Sequence, residues 1–127
     1  GTNRAADRFA RASFYINAIP KNATPEHSLA SVFSVIRNAS VPFGLNTEEE
    51  PNISSTRWRT VVDHKRGLYF FESAVSPNMF WIDLKDINFN DGQAKKLELG
   101  QDQAKTYAGK TNSSFKVTQP FEFLGTK

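Results

Sequence analysis

The chain has 127 residues, no cysteine and a formal net charge of +3. That length fits one domain with a real core, and the missing cysteine excludes disulfides, thiolate metal sites and a Cys nucleophile within these residues. An apolar fraction of 39% with 11 Phe is globular rather than disordered, the scattered Lys and Arg argue against a nucleic-acid partner, and no run approaches the roughly 20 apolar residues of a membrane helix.

The first ten residues carry no hydrophobic signal segment and no initiating Met, so the chain is expected to start at a processed, engineered or internal position. Residues 9–19 read as a strand, with Phe14, Tyr15 and Ile16 favouring β structure and Pro20 stopping it. Its alternate side chains are Arg8, Ala10, Ala12, Phe14 and Ile16 on one face, and Phe9, Arg11, Ser13, Tyr15 and Asn17 on the other. Neither set is purely polar, which predicts protein on both sides.

Thr24-Pro25-Glu26 marks a helix start: a capping hydroxyl, a proline suited to the first position, and an acid that complements the dipole. Leu29, Val32, Phe33 and Ile36 then recur at helical spacing, and the helix is expected to end near Ala39, before Pro42 and Gly44. Residues 43–54 read as a solvated loop. Beyond it, residues 56–63 and 68–75 flank the turn His64-Lys65-Arg66-Gly67 as a hairpin. A third strand is predicted from Met79 to Leu84. A fourth is predicted over 94–99, after the turn signal Asn90-Asp91-Gly92. The tail from Tyr107 to Lys127 reads as extended chain packed by Phe115, Phe121 and Phe123. One long helix and four strands in meander order make an α+β arrangement.

Candidate chemistry is sparse. His27 and His64 lack carboxylates at ligand spacing, so exposed histidines are expected and no metal or cofactor. No nucleophile elbow or phosphate loop is present, and Ser54-Ser55-Thr56 reads as a turn. An N-terminal nucleophile needs Cys, Ser or Thr at residue 1, which here is Gly1. Glycan acceptor triplets start at Asn22, Asn38, Asn52 and Asn112, and chance accounts for most of them in a Ser- and Thr-rich chain. The aromatic run Tyr69-Phe70-Phe71 with Phe80-Trp81 reads as core, or more sharply as a pocket wall. Arg8 and Arg11 have two readings: a surface ion pair with Asp7 or another acid, or a guanidinium pointing into a site where it holds a carboxylate or supports a thiolate.

The segments A-D-R-F-A-R-A-S-F-Y, S-S-T-R-W-R-T-V-V-D-H-K-R-G-L-Y-F-F-E-S and F-W-I-D-L-K, in this order, make the sequence resemble the choloylglycine hydrolase family, which includes penicillin V acylases and bile salt hydrolases. The likeness runs from about Asp7 to Leu99, and S-P-N-M-F-W-I-D-L is closer to the Gram-negative branch. The resemblance implies an N-terminal nucleophile hydrolase with a four-layer αββα sandwich. Such an enzyme cleaves a linear amide C–N bond with an N-terminal Cys, without cofactor. It implies a catalytic role for Arg8, the first Arg of R-F-x-R, in orienting or supporting the thiolate, and structural pairing for Arg11. It further implies a C-terminal portion, residues 1–127, of one such domain. Its partners would then be the N-terminal half of the same enzyme, carrying the Cys, and a small acyl-amide substrate, in a homo-oligomer when complete. The periplasm is the implied compartment. A different expectation stands beside this one: a non-catalytic binding domain whose pocket is lined by Phe70, Phe80 or Trp81.

Overall fold

Ala5–Ala18 forms an α-helix (α1), not a strand, in the computed structural model. This model describes residues 2–51, 53–100 and 106–125. Gly1, Asn52 and the expected tail's last two residues therefore lie outside the described residues. Composition explains the helix. Five of its 14 residues are Ala, the best helix former, and Ile16 is its one β-branched residue. Phe9, Ala12, Ser13 and Ile16 sit at i, i+3, i+4 and i+7 and line a groove with Val32, Val35 and Ile36 of the next helix. Asp7, in the first turn, accepts from the Thr2 backbone N–H at 2.9 Å and from the Thr2 hydroxyl. Pro20 still stops the element, and the last turn closes with Ile19 N–H donating to the Tyr15 carbonyl at 3.1 Å. Within these residues Phe9 is 76% and Phe14 69% exposed.

The second helix, Pro25–Asn38 (α2), forms as its sequence predicts. Thr24 caps it by accepting from His27 N–H at 3.3 Å, with Pro25 in the first turn. Phe33, 1% exposed, meets Phe70 edge to face with ring centroids 6.4 Å apart. This contact seats α2 on the sheet, and α1 rests against α2.

The main sheet is an antiparallel meander of Trp58–Asp63 (β1), Leu68–Ser73 (β2) and Met79–Asp83 (β3). The predicted turn joins β1 to β2. Gly67 takes φ of 73°, which a side chain would resist, and Asp63 holds the turn by accepting from Arg66 N–H at 2.8 Å. The expected fourth strand shrinks to Lys95–Lys96 (β4), which leaves this sheet and pairs with Lys116–Val117 (β6). Its sequence, K-K-L-E-L, lacks the β-branched residues that stabilise a longer strand. Gly109–Lys110 (β5) takes the fourth place instead, parallel to β3. Asn112 extends that pairing with its side chain: Oδ1 accepts from Asp83 N–H at 2.9 Å and Nδ2 donates to the Asp83 carbonyl at 2.8 Å. The tail's Phe121 and Phe123 pack on each other, but at 79% and 87% exposed they do not pack the tail down as expected.

The pleat sorts the aromatic run. Val61, Phe70 and Trp81 are in register and face α2, whereas Thr60, Phe71 and Phe80 are in register on the opposite face. The architecture is thus α+β, with two helices on one face of a mostly antiparallel sheet.

Glu72 ties α2 to the sheet. Its Oε1 meets Arg37 Nη2 at 2.5 Å and its Oε2 meets Arg59 Nη1 at 3.2 Å. Burial pushes its pKa up, but the hydrogen bonds and charges of Arg37 and Arg59 outweigh burial and hold it below 4.5. A depressed carboxylate stabilises the fold above its unfolded pKa, and that contribution is lost as pH falls through the folded value. Unfolding measured against pH should therefore show stability falling from about pH 5 downward. Glu72→Gln should lose about 1–3 kcal/mol at pH 7 and flatten that acid limb.

Candidate functional site

The face of the sheet opposite α2 carries a cleft of about 930 Å³. Its floor is Phe71 stacked on Phe80, with centroids 5.1 Å apart, and Tyr107 meets Phe80 edge-on at 5.6 Å. Trp58, Ser73, Ser76, Asn78 and Leu99 surround the floor, and Phe43 and Arg57 stand beside it. The Arg57 guanidinium lies over the Phe43 ring, 4.9 Å from its centroid.

Local sequence places this rim. The 41–44 segment is clasped to the start of β1 by a two-way bond: Val41 N–H donates to Thr56 Oγ1 at 3.0 Å and Thr56 N–H donates to the Val41 carbonyl at 3.1 Å. Gly44, with φ of 78°, donates its N–H to Ser55 Oγ at 3.1 Å. Ser54-Ser55-Thr56 is thus structural, as expected, with Ser55 and Thr56 fastening the rim. On the other side, Ala74 N–H donates to the Arg57 carbonyl at 2.9 Å, and Ser73 and Ser76 accept from the backbone of Val75 and Asn78.

Of the aromatic residues expected to wall a pocket, Phe71 and Phe80 do so. Phe70 and Trp81 point to the α2 side and tilt against each other at 5.9 Å. Strand alternation separates neighbours such as Phe70 and Phe71, so a cluster contiguous in sequence cannot line one pocket. Phe43, Arg57 and Tyr107 were not foreseen as site residues, because tertiary contacts and no motif spacing bring them together.

Arg8, on α1, is half-buried, and its Nε donates to the Ala39 carbonyl at 2.8 Å. It therefore binds the C-terminal end of α2 rather than Asp7, whose carboxylate Thr2 occupies. Thr2 and Arg11 hold Asp7 below the usual carboxylate range, the Thr2 hydrogen bonds foremost. Arg11 Nη1 donates to the Thr2 carbonyl at 2.9 Å, a structural pairing across the helix start. His27 and His64 are both exposed. No group of three or more His, Asp or Glu side chains suited to a metal occurs among the described residues. Asn112 spends its Nδ2 on Asp83, so a glycan there would break the pairing that extends β3. Asn22 and Asn38 are exposed.

The family model of linear amide C–N hydrolases, choloylglycine hydrolase family, matches residues 1–98. The chain belongs to this family. A curated penicillin V acylase from Pectobacterium atrosepticum is 56% identical over 98% of the chain and 37% of that protein. The solved structure of penicillin V acylase from Agrobacterium tumefaciens superposes with a TM-score of 0.88 at 62% identity, covering 99% of the chain and 40% of that structure. The chain thus spans about two-fifths of the length of these choloylglycine hydrolase relatives. The two-helix, mostly antiparallel arrangement is that of an N-terminal nucleophile hydrolase.

The Arg8 geometry yields a contrast between the two arginines. Arg8→Ala should destabilise the chain by about 1 kcal/mol in denaturant unfolding, since it removes a half-buried charged donor. Arg11→Ala, which loses an exposed bond, should stay within about 0.5 kcal/mol of the parent.

Proposed function

We propose that this chain forms part of a penicillin V acylase-type amidase that hydrolyses a linear amide C–N bond, with the nucleophilic Cys supplied by residues outside these 127. The family match over residues 1–98 carries this reading, together with 56% identity to a protein named penicillin V acylase. The absence of cysteine from these 127 residues supports placing that nucleophile outside them.

In this reading the Cys thiol attacks the amide carbonyl and its own α-amine relays the thiol proton to the leaving amine. The C–N bond breaks as a thioester forms, and water then hydrolyses the thioester to the acid. Arg8 is the residue of this chain assigned to that step. Its Nε is committed to Ala39, which fixes the plane of the guanidinium. Its positive charge and the remaining donors are what a thiolate or a developing oxyanion needs. The other partners in this proposal are the N-terminal half of the same enzyme and a small acyl-amide. The exposed Phe9 and Phe14 of α1 favour coverage by more protein, in the same domain or in a homo-oligomer. The proposed compartment is the periplasm, on the likeness of S-P-N-M-F-W-I-D-L to the Gram-negative branch.

Two measurements test the reading. The 127 residues alone should release no phenoxyacetate from penicillin V; clear turnover by them would place the nucleophile within this chain and sink the proposal. In the protein that carries this chain with its nucleophile, Arg8→Ala should lower kcat about 100-fold, the scale of losing one oxyanion-type donor. Unchanged kcat in a folded variant would remove Arg8 from the site.

A further inference from the structure

The carbonyls at the C-terminal end of a helix have no helical donor, so other groups must meet them. At the end of α2 two side chains do so. Ser40 Oγ–H donates to the Ile36 carbonyl at 2.8 Å, and Arg8 Nε–H donates to the Ala39 carbonyl at 2.8 Å. Ser40 N–H also donates to the Arg37 carbonyl at 3.2 Å.

The Ser40 hydroxyl is bonded on both sides: it donates to Ile36 and accepts from Arg59 Nε at 2.8 Å. A hydroxyl carries one proton, so a donor and an acceptor together fix its direction. Arg59 is itself fixed, because its Nη1 meets Glu72 Oε2 at 3.2 Å and its side chain is only 18% exposed. Glu72 returns to α2 through Arg37, whose Nε and Nη2 both donate to it. A closed ring of side chains thus ties β1 and β2 to the turn that follows α2. Arg37 already gives the Glu72 carboxylate a cationic partner. What the Arg59–Ser40 bond adds is a fixed place for residue 40, next to the carbonyl that takes Arg8.

Among the described residues, the bond to Ala39 is the one side-chain hydrogen bond that Arg8 makes. A single acceptor therefore aims its guanidinium. The rigid fork turns as a unit, so a shift of the Ala39 carbonyl swings both Nη groups.

We propose that Arg59 is a positioning residue: acting through Ser40, it holds the Ala39 carbonyl that aims the Arg8 guanidinium. The inference rests on the amidase reading, which assigns Arg8 to the nucleophile. It extends that reading to a residue on β1 whose own donors are committed to Ser40 and Glu72.

The protein that carries this chain with its nucleophile is assayed on penicillin V. Arg59→Met removes the Ser40 bond and leaves Glu72 with Arg37. Ser40→Ala removes the same bond from the other side and leaves Arg59 with Glu72. Each should lower kcat about tenfold and leave KM within about twofold, since a misplacement of about 1 Å costs on the order of 100-fold. Ser40→Thr, which keeps the hydroxyl, should retain the parent kcat. In an Arg8→Ala background neither Arg59→Met nor Ser40→Ala should lower kcat further, because residues that act through one group are not additive. Arg66→Met is the control. It breaks ion pairs elsewhere on the helix side of the sheet and should leave kcat at the parent value. Parent kcat in folded Arg59→Met and Ser40→Ala, a loss that persists in full beside Arg8→Ala, or an equal loss in Arg66→Met would overturn the inference and leave the amidase reading standing. Parent kcat in Arg8→Ala itself removes Arg8 from the site, and this inference with it.

Discussion

The edge-to-face contact of Phe33 with Phe70 decides which side of the sheet the helices cover. Phe33 is the most buried large side chain described, and aromatic burial of this size is worth about 3–5 kcal/mol against alanine. Once α2 is seated on Phe70, strand alternation leaves no choice for the neighbours. Val61 and Trp81 join Phe70 under the helix, and Phe71 and Phe80 turn the other way. The cleft is therefore a consequence of where the helix docks. Its aromatic floor is the reverse side of the same strands that make the core.

Charge follows the same division. On the helix side Glu72 accepts from two arginines, and Arg59 also donates to Ser40 Oγ at 2.8 Å, so charges drawn partly out of water are matched by partners. Elsewhere, at the surface, the exposed Lys110 lies against Asp86 at 2.5 Å, which raises its pKa. On the cleft side Arg57 has an aromatic ring where the others have carboxylates. The sequence T-R-W-R-T places Arg57 and Arg59 two residues apart, but Arg57 precedes the first residue of β1, Trp58. It is thereby released from the strand's alternation and can reach Phe43 instead of Glu72.

What the sequence made legible was what local rules govern: the Thr24 cap, the helical stripe of α2, the Gly67 turn, and the three-stranded meander. It misled where two periodicities competed. In residues 5–18 the β-favouring trio Phe14, Tyr15 and Ile16 outweighed five alanines and the stripe Phe9, Ala12, Ser13, Ile16, although the stripe carried the tertiary information. The fourth position of the sheet was not legible, because a two-residue strand and an Asn side chain complete it from far along the chain. The same limit applies to the site. Arg8 was singled out by its family motif, and Phe71 and Phe80 by their aromatic neighbours. Arg57 was hidden, since only the fold brings it onto Phe43.

Residues 39–43 join the Arg8 contact to the rim of the cleft. Ala39 accepts from Arg8, Ser40 from Arg59, Val41 pairs with Thr56, and Phe43 carries Arg57. Four of these five residues thus touch α1, β1 and the cleft in turn, each through a contact specific to that position. The Arg8 guanidinium and the rim of the cleft are consequently referred to one backbone segment. The group proposed to meet a thiolate is positioned by the same stretch that places Arg57 at the cleft. Coupling of this kind separates two effects of changing Arg8. In the proposed role, loss of its charge would act on the chemical step, and loss of its Nε bond would loosen Ala39 and, through it, the rim. The first would show in kcat and the second in the thermal midpoint, so the two together distinguish an Arg8 that acts on the nucleophile from one that only holds the helix in place.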